Sequence, residues 1–294
     1  MIIEAPAKIN LALDVVADRP NGYHDVDMVM QTITLADQII LEPGEKIELT
    51  CSKLQIPVDQ RNLAWRAAEL LQKHVFNTTG KSNGIQIHIE KRIPMAAGLA
   101  GGSTDAAAVL IGLNELWGLG LTKMELMEFG LTLGADVPFC ILQQTARAEG
   151  IGEKLTKVDS NLSCSVLLIT PDIEVSTAFV YQNLVLDKIK KHPDINRVIA
   201  ALETGDLEKL NDSWGNVLEE VVLVKFPIVA RLKNILYEFG LKNVLMSGSG
   251  PSVFALNPDE DKIQTIREAL PPTWFCELTR FKNEIGVIKW NVNL

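Results

Sequence analysis

The segment I-P-M-A-A-G-L-A-G-G-S-T-D-A-A-A-V, from Ile93 to Val109, joins a loop of small residues to an alanine-rich apolar stretch. Apolar residues then recur at helical spacing as far as Trp117, which predicts a buried helix that begins near Thr104. A helix that follows glycines exposes unpaired N–H groups at the positive end of its dipole, and such groups bind anions. Small residues also suit close packing, so the segment by itself leaves both interpretations open.

The size and charge of the chain limit the classes of protein to consider. Its 294 residues are enough for two domains, and the composition is that of a globular protein. A net charge of −9 without a cluster of Lys and Arg argues against a nucleic-acid partner. No secretory signal and no membrane-length apolar run is present, so we expect a soluble cytoplasmic protein without a membrane partner. The scattered Cys and His residues predict no protein-ligated metal site.

The periodicity of apolar residues predicts an α+β protein. In the first half, we expect strands at residues 1–16, 27–34, 38–42, 46–51 and 84–91, and helices at 62–74, from about 104, and after a capping box at Thr122. A polar stretch at residues 157–163 predicts a boundary between domains at 1–160 and 161–294. In the second half, we expect helices at 175–184, 194–202, 206–210 and 227–239, and strands at 164–170, 244–246, 252–256, 275–280 and 285–290.

Two common nucleotide-binding loops do not fit this sequence. Gly80-Lys81-Ser82 ends like a P-loop, but Val75 stands where its first glycine is required. Gly248-Ser249-Gly250 lacks the third glycine of a dinucleotide-binding turn. The glycine loop after Ile93 is therefore the candidate for holding phosphate.

Four segments share the order and spacing of one enzyme superfamily. They are A-P-A-K-I-N-L from Ala5, P-M-A-A-G-L-A-G-G-S-T from Pro94, G-A-D-V-P-F-C from Gly134 and M-S-G-S-G-P-S-V-F-A from Met246. Together they resemble the small-molecule kinases that include galactokinase, homoserine kinase and mevalonate kinase. The turn R-P-N-G-Y-H at residues 19–24 narrows the resemblance to the branch that phosphorylates 4-diphosphocytidyl-2-C-methyl-D-erythritol in the non-mevalonate route to isoprenoids.

The resemblance implies two α+β domains, with the substrates in the cleft between them. The N-terminal domain would resemble domain 2 of ribosomal protein S5, and the C-terminal domain would be ferredoxin-like. ATP would be the phosphoryl donor, with Mg²⁺ beside it and no bound prosthetic group. The acceptor would be the 2-hydroxyl of a cytidine diphosphate-linked sugar alcohol, and the protein would be a monomer or a weak homodimer.

The resemblance also assigns residues to the reaction. Asp136 matches the catalytic aspartate and Lys8 its partner lysine. A carboxylate near the attacking hydroxyl accepts its proton, while a lysine keeps that carboxylate ionised and offsets charge on the phosphoryl group. The residues expected to bind ATP are one asparagine and the glycine loop: Asn62, Pro94, Met95, Ala96, Ala97, Gly98, Leu99, Ala100, Gly101, Gly102, Ser103 and Thr104.

Five further residues match positions that hold the acceptor. Tyr23 and His24 match residues at the cytosine ring, and Tyr181 stands where an aromatic ring covers its other face. Each stack of a base on an aromatic ring contributes about 1–3 kcal/mol. Asn10 and Thr177 match groups near the sugar-alcohol end. The alternatives that remain are a half-buried helix position for Tyr181, a loop position for His24, and a tight inter-domain turn at residues 246–250.

One turn departs from the family pattern. Gln143 and Gln144 replace two glycines, and Ile151 replaces an arginine that would aid phosphate or diphosphate binding, with Arg147 nearby as a substitute. A kinase of another small alcohol, similar to mevalonate or homoserine, is therefore an alternative function. A non-catalytic nucleotide-binding relative is another, although Lys8 and Asp136 are both present.

Overall fold

The computed structural model describes residues 1–283, which form two β-sheets covered by helices. In the first sheet, β1 (Ile2–Asp18) and β2 (His24–Gly44) make a long antiparallel pair. β4 (Gly84–Glu90) and β3 (Ile47–Cys51) continue the sheet beyond β2, and β5 (Ala146–Gly150) and β6 (Lys154–Lys157) branch from it. On the other edge, β8 (Gly215–Asn216) pairs in parallel with β1.

The two strands expected at residues 27–34 and 38–42 are one continuous strand. The polar Asp37 interrupts the alternation of the sequence between them, yet this residue is fully buried in β2. Its carboxylate accepts hydrogen bonds from Lys91 Nζ and from the N–H groups of Arg92 and Ile93. Because these partners satisfy the charge, the strand continues through it.

Four helices belong to the first part of the chain: α1 (Leu63–Thr79), α2 (Gly101–Leu116), α3 (Lys123–Leu131) and α4 (Val137–Leu142). The alanines of α1 and α2 are fully buried, which lets the two helices approach the sheet and each other closely. The capping box at Thr122 is confirmed. The helix expected from Thr104 begins three residues earlier, at Gly101, because Ala100 adopts a positive φ of 58° and ends the loop.

The second sheet is antiparallel in the order β11-β7-β10-β9, with β7 (Ser165–Thr170), β9 (Val244–Met246), β10 (Val253–Leu256) and β11 (Phe275–Arg280). Its helices are α5 (Thr177–Asn183), α6 (Ile195–Thr204), α7 (Leu207–Ser213), α8 (Glu219–Lys225), α9 (Pro227–Glu238) and α10 (Glu260–Ala269). A 3₁₀ turn lies at Leu186–Lys188. The sequence patterns missed α8 and α10; α10 buries only Ile263 and Ile266. The expected strand at 285–290 lies outside the described residues.

The chain passes from the first sheet to the second between β6 and β7, near the predicted boundary at residue 160. However, β8 returns to the first sheet from the second half of the chain, so the division into 1–160 and 161–294 stays a prediction. No helix formed by residues 1–283 combines the length and the apolar character needed to cross a bilayer.

Candidate active site

A cleft of about 840 Å³ lies where the two halves of the molecule meet. The first half contributes the glycine loop, Lys8, Asn62 and Asp136, and the second half contributes Thr177, Tyr181, Gly248 and Ser249. The structure thus brings residues that lie more than 200 positions apart in the sequence to a single cleft.

The glycine loop, residues 94–103, presents backbone donors to this cleft. Ala96, Gly98 and Ala100 have positive φ values of 48°, 75° and 58°, so every second residue is left-handed. A non-glycine residue in this conformation costs about 1–2 kcal/mol, a strain typical of functional loops. The N–H groups of Gly101, Gly102 and Ser103 open α2 and have no partner within the helix, and Ala100 provides no side-chain cap. This geometry suits an anion.

Leu99 and Thr104 do not line the cleft, in contrast to the other predicted ATP contacts. The Leu99 side chain is buried in the core, and its carbonyl accepts a hydrogen bond from the Lys8 N–H at 3.2 Å. The Thr104 hydroxyl donates to the carbonyl of Pro6 at 2.8 Å. Both residues therefore fasten the loop to β1 from behind, and their contact with ATP stays a prediction.

Asn62 lines the cleft at the start of α1, but its amide is already engaged. Its Oδ1 accepts from the Ala64 N–H and its Nδ2 donates to the Pro57 carbonyl, both at 2.9 Å. Its cap and loop bonds therefore shape the wall of the cleft, in which Ile56 and Leu63 also lie.

A buried ion cluster lies beneath the glycine loop. Lys91 Nζ donates to Asp37 and, at 2.7 Å, to Asp105. This nitrogen is 3.1 Å from where a Cβ on Gly101 would be, so a larger residue there would press on it. Asp105 Oδ1 has no hydrogen-bond partner among the described residues. Burial raises the pKa of the Asp105 carboxyl to about 8, although Lys91 opposes the shift. Sequence patterns did not reveal this cluster, because its members are far apart in the chain, on β2, just after β4 and on α2.

The raised pKa of Asp105 predicts a pH-dependent contribution to stability. The folded state holds this proton more tightly than the unfolded chain, whose carboxyl has a pKa near 3.8, so stability falls as the pH rises from about 4 to about 8. Asp105→Asn removes this dependence. We expect its melting temperature to rise relative to that of the wild type over this range, and to hold a constant difference above it.

Asp206→Asn is the matched control for Asp105→Asn. Asp206 is a partly exposed helix cap, and its hydrogen bonds from Lys209 lower the pKa of its carboxyl. The contribution of Asp206 to stability is therefore lost only in acid. Between pH 5 and 8, about one unit or more above the ordinary aspartate pKa, the melting temperature of Asp206→Asn should differ from that of the wild type by a constant amount. Parallel curves for Asp105→Asn as well would contradict the prediction.

Lys8 and Asp136 form the polar centre of the cleft. Lys8 Nζ lies 3.9 Å from Asp136 Oδ2 and donates to Asn10 Oδ1 at 2.7 Å. The Lys8 side chain is 6% exposed and that of Asp136 is 34% exposed, so the carboxylate is the more accessible of the two. Irregularities in the pairing of β1 with β2, next to Pro6 and Asn10, occur on both sides of Lys8. Asp136 precedes α4 and makes no cap bond, which leaves its carboxylate available.

At another part of the cleft, the rings of His24 and Tyr181 are in contact. Their centroids are 4.9 Å apart with an interplanar angle of 39°, and His24 Nε2 lies 3.2 Å from Asp18. Tyr23 also lines the cleft but is 57% exposed. In this structure, His24 rather than Tyr23 lies against Tyr181. Burial raises the pKa of Tyr181 well above its usual range, so its hydroxyl remains protonated.

The loop at residues 247–250 reaches the cleft from the second half of the molecule. Ser247 Oγ donates to the Gly98 carbonyl at 3.0 Å, and Ser249 Oγ lies 2.8 Å from Thr177 Oγ1. A Cβ on Gly248 would be 3.0 Å from the Gly98 oxygen and 3.4 Å from Asn10 Oδ1. This loop is therefore both an inter-domain contact and a wall of the cleft.

The turn that departs from the family pattern has one residue in the cleft. Ile151 lines it, whereas Arg147 is held by Asp27 through two hydrogen bonds of 2.9 and 2.7 Å. Arg147 is not among the described residues that form the cleft. It therefore does not replace the missing arginine in this structure.

Known proteins with similar sequences and structures identify the family. Residues 62–144 match the GHMP kinases N terminal domain, and residues 198–275 match the GHMP kinases C terminal domain. A 4-diphosphocytidyl-2-C-methyl-D-erythritol kinase of Geobacillus sp. (strain WCH70) is 49% identical over 279 residues, which are 94% of each chain. The chain belongs to the 4-diphosphocytidyl-2-C-methyl-D-erythritol kinase family. The resemblance stated from the sequence is thereby confirmed, as is the enzyme class, an ATP-dependent small-molecule kinase.

Solved structures agree with membership of the 4-diphosphocytidyl-2-C-methyl-D-erythritol kinase family. A crystal structure of 4-(cytidine 5'-diphospho)-2C-methyl-D-erythritol kinase is 32% identical with a TM-score of 0.80, and the match covers 96% of this chain and 99% of that one. The homoserine kinase of Cytophaga hutchinsonii ATCC 33406, at 19% identity and a TM-score of 0.69 over 96% and 95% of the two chains, shares the fold alone. These matches confirm the predicted two-domain α+β kinase fold.

Proposed function

We propose that the chain transfers the γ-phosphoryl group of ATP to the 2-hydroxyl of 4-diphosphocytidyl-2-C-methyl-D-erythritol, giving the 2-phosphate and ADP. The observation that carries this proposal is the Lys8–Asp136 pair, 3.9 Å apart, in one cleft with an anion-binding loop and a pair of aromatic rings in contact. The reaction would belong to the non-mevalonate route to isoprenoids.

In this proposal the phosphates of ATP bind to the start of α2. The N–H groups of Gly101, Gly102 and Ser103 act as donors there, and the lack of a side chain on Gly101 and Gly102 lets the phosphates approach the backbone. The adenine ring would lie against the wall that Asn62, Ile56 and Leu63 form. The apolar side chains suit a flat base, and Met95 at the rim extends this surface.

The cytosine ring of the acceptor would bind at Tyr23, His24 and Tyr181. These three side chains line the same cleft as the glycine loop, and the rings of His24 and Tyr181 are in contact there. Asn10 and Thr177 would contact the sugar-alcohol part. Asn10 accepts a hydrogen bond from Lys8, which we assign to the reaction, and Thr177 contacts Ser249 in the wall of the cleft.

Asp136 would accept the proton of the 2-hydroxyl while the hydroxyl oxygen bonds to the γ-phosphorus. At the same time the bond between the γ-phosphorus and the bridging oxygen breaks, and this oxygen leaves with ADP. The accessibility of Asp136, 34% for the side chain, allows a hydroxyl to reach it. Lys8 would orient the carboxylate and offset the negative charge of the transferred group. Asn10 fixes the ammonium group by accepting its hydrogen bond at 2.7 Å.

Mg²⁺ is expected to enter with ATP. No group of three or more His, Cys, Asp or Glu side chains within residues 1–283 is arranged to hold a metal ion. Mg²⁺ in kinases commonly uses substrate phosphates, waters and one or two protein oxygens, and the cleft offers the Ser103 hydroxyl and the Asp136 carboxylate. When bound, the ion neutralises charge on the phosphates.

We place the reaction in the cytoplasm, catalysed by a monomer or a weak homodimer.

The test of the proposed function is ADP release by the purified chain with ATP, Mg²⁺ and synthetic 4-diphosphocytidyl-2-C-methyl-D-erythritol. We expect turnover with this alcohol, together with a new phosphomonoester signal in the ³¹P NMR spectrum. Mevalonate and homoserine serve as control alcohols and should give none. The absence of turnover from folded protein that binds ATP would overturn the proposal.

Tyr181→Leu should weaken cytidine binding. Loss of one stacked ring costs about 1–3 kcal/mol, so the Kd for CDP is expected to rise roughly 5- to 150-fold in calorimetric titrations. Tyr181→Phe keeps the ring and should change the Kd by no more than about threefold. Tyr237→Leu, at an exposed position in α9, controls for the loss of any tyrosine. An unchanged Kd in Tyr181→Leu would place the base elsewhere in the cleft.

A further inference from the structure

Asn216 lies outside the cleft but is tied to both halves of the molecule. It is the last residue of β8, whose pairing with β1 sets Asn216 opposite Leu13. Its side chain, in a residue that is 7% exposed, reaches into the second half of the molecule. Nδ2 donates to the carbonyls of Met246 and Gly248 at 2.9 and 2.8 Å, and Oδ1 accepts from the Leu218 N–H at 3.0 Å. All three hydrogen bonds end on backbone atoms.

The two carbonyls that Asn216 binds, those of Met246 and Gly248, lie at the start of the loop at residues 247–250. Met246 is the last residue of β9, and its N–H donates to Glu219 Oε1 at 2.9 Å. Lys233 holds that carboxylate with contacts of 2.6 and 2.7 Å. The residue before the loop is thus fixed on its N–H side by Glu219 and on its carbonyl side by Asn216. Asn216 adds a second hold, on the carbonyl of Gly248 within the loop.

The hydrogen bond from Asn216 to the Gly248 carbonyl sets the direction of the peptide group that faces the cleft. The peptide bond between Gly248 and Ser249 is trans, so its carbonyl and its N–H point in opposite directions. Asn216 draws the Gly248 carbonyl towards the buried side, whereas Gly248 and Ser249 line the cleft. No described residue accepts a hydrogen bond from the Ser249 N–H. The geometry therefore leaves this donor for a ligand in the cleft.

The peptide lies next to the groups assigned to the reaction. The position of a Cβ on Gly248 is 3.4 Å from Asn10 Oδ1, the atom that accepts the hydrogen bond from Lys8 Nζ. The same position is 3.0 Å from the carbonyl of Gly98 in the glycine loop. A phosphoryl group that passes from the glycine loop towards Asp136 would therefore move close to the Ser249 N–H.

We propose that Asn216 is a positioning residue for phosphoryl transfer: by holding the Gly248 carbonyl away from the cleft, it presents the Ser249 N–H to the phosphoryl group. Asn216 itself touches no substrate. The proposal rests on the proposed function, because it assumes that phosphoryl transfer takes place beside Lys8 and Asp136. Fixed backbone donors of this kind stabilise the charge of a transition state without reorganisation during the reaction.

The kinetic test is Asn216→Asp. An aspartate can still accept from the Leu218 N–H, but it cannot donate to the two carbonyls and repels them. We expect kcat to fall about 100-fold, the loss typical of one misplaced donor, while the KM for ATP changes by less than about threefold. Asn216→Ser introduces a smaller, uncharged side chain with a single donor and should also lower kcat. This variant replaces Asn216→Asp in the kinetic test if Asn216→Asp does not fold.

Asn114→Asp is the matched control. Asn114 is half-buried in α2, and its amide likewise donates to a backbone carbonyl and accepts from a backbone N–H, both of Leu121. It does not line the cleft. We expect kcat to stay within about twofold of the wild type, even if the melting temperature falls. The proposal is wrong if both Asn216 variants keep wild-type kcat. It is also wrong if kcat falls with the melting temperature to the same extent in Asn114→Asp as in the Asn216 variants, because the loss would then reflect stability alone.

An NMR measurement tests the proposal without turnover and so separates it from the proposed function. In the ¹⁵N-labelled wild type, the non-hydrolysable analogue AMP-PNP with Mg²⁺ should shift the Ser249 amide resonance. In Asn216→Ser the same resonance should stay near its ligand-free position, although AMP-PNP still binds. If the wild-type protein gives the Ser249 shift but shows no turnover with the proposed alcohol, the proposed acceptor is refuted and the positioning role of Asn216 is supported. Equal shifts in both proteins, or none in either, would refute the inference.

Discussion

Asp136→Asn is expected to lower kcat by about 10²–10⁴-fold, the usual contribution of a general base, because an amide cannot accept the proton of the acceptor hydroxyl. The substitution preserves the shape of the side chain, and Asp136 makes no cap hydrogen bond to α4 that would be lost. The affinity for ATP should therefore change by less than about threefold, as expected for an interaction made in the transition state. Single-turnover measurement of ADP formation, with both substrates saturating, checks this directly.

Asp194→Asn provides the comparison for Asp136→Asn. Asp194 also precedes a helix, but its carboxylate caps α6 by accepting from the Arg197 N–H, and asparagine caps equally well. We expect kcat within about twofold of the wild type. A loss below tenfold in Asp136→Asn would mean that Asp136 is not the base, and that positioning and charge stabilisation alone account for the rate.

Gly98→Ala should have the largest combined effect on stability and activity. Gly98 has a φ of 75°, and a Cβ there would collide with the carbonyl oxygen of Ser247, which cannot move without its backbone. Backbone strain and overpacking together should lower the free energy of unfolding by roughly 2–4 kcal/mol. Because the displaced segments carry the phosphate donors and the 247–250 loop, kcat should also fall about 100-fold or more. Denaturant unfolding and turnover assays measure the two effects.

Gly118→Ala separates the collision at Gly98 from the cost of backbone conformation. Gly118 follows α2 with a φ of 62°, and a Cβ there would meet no atom within 4 Å. Its substitution should cost about 1–2 kcal/mol, from the left-handed conformation alone, and leave kcat unchanged within about twofold. If the two alanine variants lose the same stability and activity, the contact between the glycine loop and Ser247 does not hold the cleft together.

The sequence was most informative where a residue's environment follows from its neighbours in the chain. The apolar alternation of residues 84–91 and the capping box at Thr122 depend on local geometry, and both were predicted correctly. The resemblance of the four motifs then placed Lys8, Asp136 and the glycine loop in one site, which spacing alone could not do. The resemblance did not reveal that Leu99 and Thr104 lie behind the cleft, because this depends on the packing of Leu99 in the core and on the hydrogen bond from Thr104 to Pro6.

Contacts between distant segments explain what the sequence analysis missed. Asp37 lies in the gap between two predicted strands, and the partner that lets one strand continue through it, Lys91, is 54 positions away. Asn216 belongs to no motif that the sequence analysis recognised, because the carbonyls that it binds, those of Met246 and Gly248, lie 30 and 32 positions away. A polar residue in an apolar context signals that a partner exists, but only the tertiary structure identifies that partner.

The position of Tyr181 on α5, a helix of only seven residues, has an evolutionary consequence. The rings that we assign to the acceptor come from the turn before β2, from the first residue of β2 and from α5, whereas Lys8, Asp136 and the glycine loop lie elsewhere in the fold. A descendant can replace that turn and that helix, and so adopt another alcohol, while the chemistry of transfer is inherited unchanged. Selection then acts on acceptor choice and on phosphoryl transfer as two separate traits of one gene.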